Sequence, residues 1–242
     1  MLNIYSQPTD TSCGPTCLKA IYDYYDLAIE LQKIITDVPS LDTGGTLEAY
    51  LGMHALERGF AVRMYTYNLK VFDPTWFFPK KLTSEQVIKK LQKQIEVKKR
   101  KKLEVASNAY IEYLRHGGEI LMEDLSHKLI LKYLKRGIPI LAGLSSTYLY
   151  KAEREYVDSE HHQIIDDIKG YPEGHFVVLE SYDSESSLVT LMDPWPLNPY
   201  SKEHRYSISK NHLMTAIMLG VLTYDANLMI ISSKEALEDI KD

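Results

Sequence analysis

The sequence predicts an α+β protein in which an N-terminal helical part packs on a C-terminal antiparallel β-sheet. From Cys13 to Tyr25, apolar side chains recur every three or four residues, which indicates one face of an amphipathic helix. In the second half, "HFVVLESYD" and "LVTLMD" read as strands on either side of the turn residues "SESS", which indicates a β-hairpin. Helices that precede strands, instead of alternating with them, favour α+β over a βαβ fold.

Composition limits the functional classes. The chain has 242 residues, 45% hydrophobic and 25% charged, which is ordinary for a globular protein with a sizeable core. Its net charge of -5 gives no electrostatic argument for nucleic acid or an anionic membrane. The start "MLNIYSQPTD" does not read as a signal peptide, and apolar runs such as "IPILAGL" are too short to cross a bilayer. We therefore expect a cytoplasmic protein with no membrane insertion and no nucleic-acid partner.

The other elements can be assigned in order along the chain. A helix in "TGGTLEAYLGMHALERGF" should end near Gly59, and "AVRMYTYNL" should form a strand. The highly charged stretch from Thr83 to Arg115 reads as helical, as does "MEDLSHKLILKYLKRG". "IPILAGLSS" and "NLMIIS" read as strands. A helix near 209–219 should lie between the predicted hairpin and the strand "NLMIIS". The long polar segment 148–174 reads as a surface excursion that leads into the hairpin.

The two cysteines lie one helical turn apart. Cys13 and Cys17 on one helix have nearly parallel Cβ vectors, which disfavours a disulfide. Their spacing is not the redox C-x-x-C, and no second pair exists to build a zinc site. We expect two free thiols, which suits a reducing compartment. Thr11 or Ser12 can cap the helix, so Cys13 should lie at its N-terminus and Cys17 on its apolar face.

Four residues form a candidate catalytic constellation. A cysteine nucleophile reacts as a thiolate, and the N-terminus of a helix stabilises an anion at Cys13. Gln7 precedes Cys13 with Gln-x5-Cys spacing, so its amide and the Cys13 N–H can together hold a developing oxyanion. His175 opens one strand of the hairpin and Asp193 closes the next. A hairpin brings these two positions to one edge of the sheet, where Asp193 can orient the imidazole of a general base.

Other polar and aromatic clusters have structural interpretations. The segment "HHQIIDD", with His161, His162 and Asp166, reads as a solvated loop in preference to a metal site. The lysine-rich run 98–102 reads as an exposed helix face, and the aromatic run 76–78 as packing within the middle of the chain. We expect no metal and no cofactor.

The motifs resemble those of a known family. Gln7, "SCGPTCLKAIYDYY", "GHFVVLESYD" and "VTLMDPW" look like the motifs of the C39-like cysteine peptidases, in the papain-like clan. The resemblance covers roughly 1–60 and 138–200. It implies a papain-like cysteine peptidase fold, with the nucleophile at a helix N-terminus. It also implies that Gln7 is the oxyanion donor, Cys13 the nucleophile, His175 the base and Asp193 the orienting residue.

This resemblance predicts one C39-like peptidase domain over 1–242, with a mainly helical insertion at about 65–137. The expected function is hydrolysis of a peptide or amide bond through an acyl-thioester, with no cofactor. Two alternatives stay open. An acyl or aminoacyl transferase would use the same cysteine with an amine in place of water, and a non-catalytic binding protein would retain only the fold.

Overall fold

The computed structural model of the protein describes residues 2–41, 44–158 and 162–240. Within these ranges, the strands are β1 (Ala61–Thr66), β2 (Glu119–Leu121), β3 (Ile140–Ser145), β4 (Glu155–Val157), β5 (Gln163–Ile165), β6 (Gly174–Asp183), β7 (Leu188–Met192), β8 (Arg205–Ser209) and β9 (Asn227–Ser232). The helices are α1 (Cys13–Tyr24), α2 (Leu31–Asp37), α3 (Glu48–Leu56), α4 (Ser84–Lys98), α5 (Lys101–Arg115), α6 (His127–Leu134), α7 (Ser146–Tyr150), α8 (Lys210–Leu219) and α9 (Lys234–Glu238).

The main sheet has seven strands in the order β2-β1-β9-β3-β6-β7-β8. All of its neighbouring pairs are antiparallel except β1 and β2, which run parallel. The expected antiparallel sheet is therefore found in the C-terminal half, but the sheet also takes two strands from the first half. A parallel neighbour needs a long crossover, and α4 and α5 supply it between β1 and β2.

Helices cover both faces of this sheet. On β6, Phe176 and Val178 join the apolar cluster that contains α1, α3 and α5. The side chains between them, Val177 and Leu179, join a second cluster with α6 and α8 on the opposite face. Because successive strand residues point to opposite faces, β6 is buried on both sides. This explains why "HFVVL" is continuously apolar.

The charged stretch from Thr83 to Arg115 forms two helices, not one. A capping box between Thr83 and Gln86 starts α4, and Lys99 ends it with a left-handed φ of 47°. The helices α4 and α5 pack against each other, so the lysine-rich run forms the turn of a helical hairpin. Like charges on adjacent turns of one continuous helix would repel, and the turn separates them.

The polar segment 148–174 has more structure than the sequence predicted. Strands β4 and β5 form a small two-stranded sheet, and Glu155 also bridges to Tyr171 shortly before β6. Residues 159–161, which include His161 of the "HHQIIDD" motif, lie outside the described residues. The chain therefore passes through the paired strands β4 and β5 before it reaches Gly174 and His175. In the described part of the chain, no helix is long and apolar enough to cross a membrane.

Candidate active site

Cys13 is the first residue of α1 and is 9% exposed. Ser12 occupies the N-cap position, but its side chain does not cap the helix. Its hydroxyl instead donates to Thr9 O at 2.9 Å and accepts from Thr9 N at 3.1 Å. The predicted cap by Thr11 or Ser12 is therefore wrong at the side-chain level. Without that cap, the partial positive charge at this helix end is left for an anion.

The hairpin of β6 and β7 brings His175 and Asp193 together. His175 is the second residue of β6, and Asp193 follows the last residue of β7. The His175 Nε2 lies 2.8 Å from Asp193 Oδ1. Both side chains are buried, with 6% of His175 and 0% of Asp193 exposed.

Cys13 completes this arrangement from α1. Its side chain lines the same cavity as His175 and helps to raise the pKa of the imidazole. Because Asp193 engages Nε2, the Nδ1 nitrogen is the one available to Cys13. Gly14 permits the close approach of α1, since a Cβ at this position would lie 3.0 Å from side-chain atoms of Leu51 and Thr46. The structure thus places Cys13 in the same cavity as an imidazole that a buried carboxylate holds.

The ionisation of His175 and Asp193 is coupled. Burial alone would lower the pKa of His175, but the Asp193 charge, the hydrogen bond to Asp193 and the neighbouring Cys13 raise it to about 10. Burial alone would raise the pKa of Asp193, but His175, Tyr206 and the Trp195 N–H hold it below its usual value. An imidazolium beside a carboxylate is therefore the stable form at neutral pH.

Two tyrosines that the sequence analysis missed hold the other side of Asp193. The hydroxyls of Tyr150 and Tyr206 donate to Asp193 Oδ2 at 2.8 and 2.6 Å. The backbone N–H of Trp195 donates to Oδ1 at 3.0 Å. Every oxygen of this buried carboxylate thus accepts two hydrogen bonds, counting His175. The period-2 pattern of β8, which buries Tyr206, was a signal in the sequence that could have identified one of them.

Gln7 is buried where the N-terminal segment meets the residues that follow β7. Its backbone N–H donates to Pro194 O at 2.9 Å, which ties the N-terminal segment to the residue after Asp193. Its Nε2 donates to Thr9 O at 2.9 Å. A primary amide carries two N–H groups, and this contact uses one of them. The contact with Pro194 explains how a residue so early in the chain reaches the hairpin.

Two cavities of about 450 Å³ each meet at His175. One extends past Tyr150 and Trp195 toward β4 and β5. The other extends past Cys13 and Gly45 toward Asp225. Residues that line both cavities are Asp10, Thr11, Glu173, Gly174 and His175. An extended chain can therefore cross the site with the cysteine between its two ends.

Cys17 and Asp166 have structural contacts away from His175. Cys17 is fully buried, donates to Phe176 O at 3.2 Å, and has a pKa that burial raises well above its usual value. Asp166 Oδ1 accepts from the backbone N–H groups of Ile168 and Lys169, so it stabilises a turn. Among the residues that the structure describes, no group of three or more His, Cys, Asp or Glu side chains could hold a metal ion.

Comparisons with known proteins support the family resemblance that the sequence motifs indicated. The Peptidase_C39 like family matches residues 2–216. A crystal structure described as a C39-like peptidase from Bacillus anthracis aligns with a TM-score of 0.51 and 11% identity, covering 96% of this chain and 95% of that one. No curated protein sequence matches the chain significantly.

Two further solved structures are similar at lower TM-scores. The peptidase domain of Streptococcus ComA, a bifunctional ABC transporter involved in quorum sensing, aligns with a TM-score of 0.45 and 10% identity over 97% of this chain and 100% of that one. A double glycine motif protease from an AMS/PCAT transporter, in complex with the leader peptide, gives a TM-score of 0.45 and 12% identity over 97% and 93%. On the family match over most of its length, the chain belongs to the Peptidase_C39 like family.

Proposed function

We propose that this protein is a papain-like thiol hydrolase that cleaves a peptide or amide bond. Cys13 is the nucleophile, His175 the general acid and base, and Asp193 the residue that orients the imidazole. Gln7 Nε2 and the Cys13 N–H bind the oxyanion. The cavities on either side of His175 hold the two parts of the substrate.

The reaction needs no cofactor. The Cys13 thiolate attacks the carbonyl carbon, and the oxyanion receives the hydrogen bonds of Gln7 and the Cys13 N–H. The C–N bond then breaks, and the His175 imidazolium gives its proton to the leaving amine. An acyl-thioester remains on Cys13. Water attacks it, His175 accepts the proton of that water, and the thiolate leaves as the acid product departs.

The observation that carries this proposal is the contact of His175 with Asp193 in a cavity that Cys13 also lines. A structural cysteine does not require an imidazole that is itself held by a buried carboxylate. Here the β6–β7 hairpin forms the 2.8 Å contact of His175 with Asp193, and a separate element, α1, brings Cys13 to the cavity that His175 lines. The same geometry supports one catalytic domain over 1–242, with the helical hairpin of the middle region as an insertion.

Turnover of an unbiased peptide library, read by mass spectrometry, tests the proposal. Wild-type protein should generate new termini at a defined sequence. Cys13→Ala should generate none, because the nucleophile is lost, while its melting temperature should stay within about 5 °C of wild type. Cys17→Ala is the matched control, one turn further along the same helix, and should retain cleavage. Cleavage by Cys13→Ala would refute the assignment of the nucleophile.

A further inference from the structure

We infer that the cavity beside Cys13 binds a cationic group of the substrate, and that Asp225 is the residue that selects it. This inference rests on the proposed function, because it assigns the specificity of the same site. Asp225 lies in the loop before β9 and lines that cavity together with Cys13, Thr223 and His175.

The backbone holds Asp225 firmly in this position. Its N–H donates to Gly220 O at 2.9 Å, and its carbonyl oxygen accepts from Asn227 Nδ2 at 3.1 Å. The hydroxyl of Thr223 donates to the same carbonyl oxygen, Gly220 O, at 3.1 Å and so helps to hold this loop. The carboxyl group therefore has a fixed position, which a specificity residue needs.

Two glycines make room for this residue. A Cβ at Gly174 would lie 1.8 Å from Asp225 Oδ2, and a Cβ at Gly143 would lie 2.1 Å from Asp225 O. Both distances are far inside van der Waals contact, so any other residue would displace Asp225. Gly174 directly precedes His175. The carboxyl group of Asp225 thus lies against the backbone of the strand that carries the proposed base.

Asp225 has no lysine or arginine partner in the described part of the chain, and its cationic neighbour is His175. In residues 2–41, 44–158 and 162–240, no Lys or Arg side chain forms an ion pair with it. Burial, with a further contribution from Glu48, raises the pKa of Asp225 well above its usual value. Asp225 is half-buried, and a bound cation would favour the ionised form of its carboxyl group and so offset the cost of its burial.

The lining of the cavity has the complementary charge for such a ligand. Asp10, Glu173 and Asp225 contribute three carboxyl groups, against the amine of Lys102 and the imidazolium of His175. Burial and then Glu155 raise the pKa of Glu173 to about 7. A cation that enters the cavity would favour the ionised form of each of these carboxyl groups. The cavity of about 450 Å³ is large enough for a lysine or arginine side chain or for the free amino terminus of a short peptide.

Covalent labelling of Cys13 by peptidyl acyloxymethyl ketones tests the inference. The probes are N-acetylated and carry lysine, Nε-acetyl-lysine or norleucine at either of the two residues nearest the ketone. A further probe leaves the amino terminus of the norleucine peptide free. We expect the lysine probe or the free-amine probe to label wild-type protein about tenfold faster than its neutral counterpart. Which of the two is faster identifies the source of the cation.

Two variants then test whether Asp225 causes the preference for cationic probes. In Asp225→Asn, the ratio of the cationic to the neutral rate should fall toward one. Asp239→Asn, an exposed aspartate near the C-terminus, should keep the wild-type ratio. If Asp225→Asn does not fold, the comparison of lysine with Nε-acetyl-lysine on wild type still decides. Equal rates for charged and neutral probes, or an unchanged ratio in Asp225→Asn, would overturn the inference. Failure of every probe to label Cys13 would instead refute the proposed function.

Discussion

The Cys17 thiol lies 3.2 Å from the carbonyl oxygen of Phe176 and donates a hydrogen bond to it. This contact joins α1 to β6 one turn after Cys13 and one residue after His175. Both partners are buried in the same apolar cluster. The proposed nucleophile and base therefore sit at the ends of two elements that are packed together directly behind them. Such rigid support is what a preorganised site needs.

The two tyrosines on Asp193 should position the carboxylate that orients His175. Tyr206→Phe and Tyr150→Phe each remove one donor to Asp193 Oδ2. We expect each variant to lower kcat/KM about three- to tenfold, with the larger effect on kcat, since a hydrogen bond to a charged group is lost. Because Asp193 then binds protons more readily, the acid limb of the pH–rate profile should move to higher pH.

Tyr200→Phe is the matched control for these variants. Its hydroxyl donates to Leu149 O and not to Asp193, although its ring packs against Tyr150 and Tyr206. Its profile should overlay that of the wild type. If Tyr206→Phe and Tyr200→Phe behave alike, the tyrosines only pack the core.

Asp193 and His175 should differ in how much they contribute to the rate. His175→Ala removes the group that moves the proton, so we expect a loss of about a thousandfold or more in kcat. Asp193→Ala leaves the imidazole in place and should cost less, about ten- to a hundredfold. Steady-state kinetics of both variants give the comparison. If Asp193→Ala loses as much activity as His175→Ala, or more, Asp193 serves chiefly to stabilise the local structure around Trp195 and Tyr206.

The small sheet of β4 and β5 should influence substrate choice more than folding. It borders the cavity that contains Trp195, through Glu155, Tyr156 and Gln163. Replacing residues 158–162 by Asn-Gly would join the paired residues Val157 and Gln163 by a two-residue turn. We expect the melting temperature to change by less than about 5 °C, while the cleavage pattern in a peptide library changes. An unfolded product would show that this segment belongs to the core.

The stability of the protein should fall as the pH rises above neutrality. The pKa of His175 is raised to about 10 in the fold, compared with about 6.5 for a free imidazole. Protonation of His175 therefore stabilises the fold fully below pH 6.5, and this contribution is lost as the pH approaches 10. Urea unfolding of wild type and His175→Gln between pH 6.5 and 9.5 measures it. The advantage of the wild type should shrink with pH, and parallel curves would contradict the ion pair.

The features that could be predicted from the sequence arise from residues close together in the chain. The features that were missed depend on contacts between distant segments. The meeting of His175 with Asp193 follows from one hairpin with a short turn, so strand alternation was enough to suggest it. Tyr206 was missed because β8 is short and follows a proline-rich stretch. The parallel contact of β1 with β2 was missed because 52 residues separate the end of one strand from the start of the other. Asp225 was missed because its place beside His175 depends on the packing of a loop against two glycines.

The central claim is that Cys13 and His175 form a reactive ion pair, whereas Cys17 is an inert core thiol. Brief iodoacetamide treatment at about pH 6, followed by peptide mapping, measures this most directly. We predict that Cys13 is labelled almost alone, because Cys17 is fully buried and its thiol stays protonated. In His175→Ala the labelling of Cys13 should slow by about tenfold or more, whereas His116→Ala, at an exposed histidine, should leave it unchanged. Equal labelling of both cysteines, or labelling of Cys13 that does not depend on His175, would contradict the account.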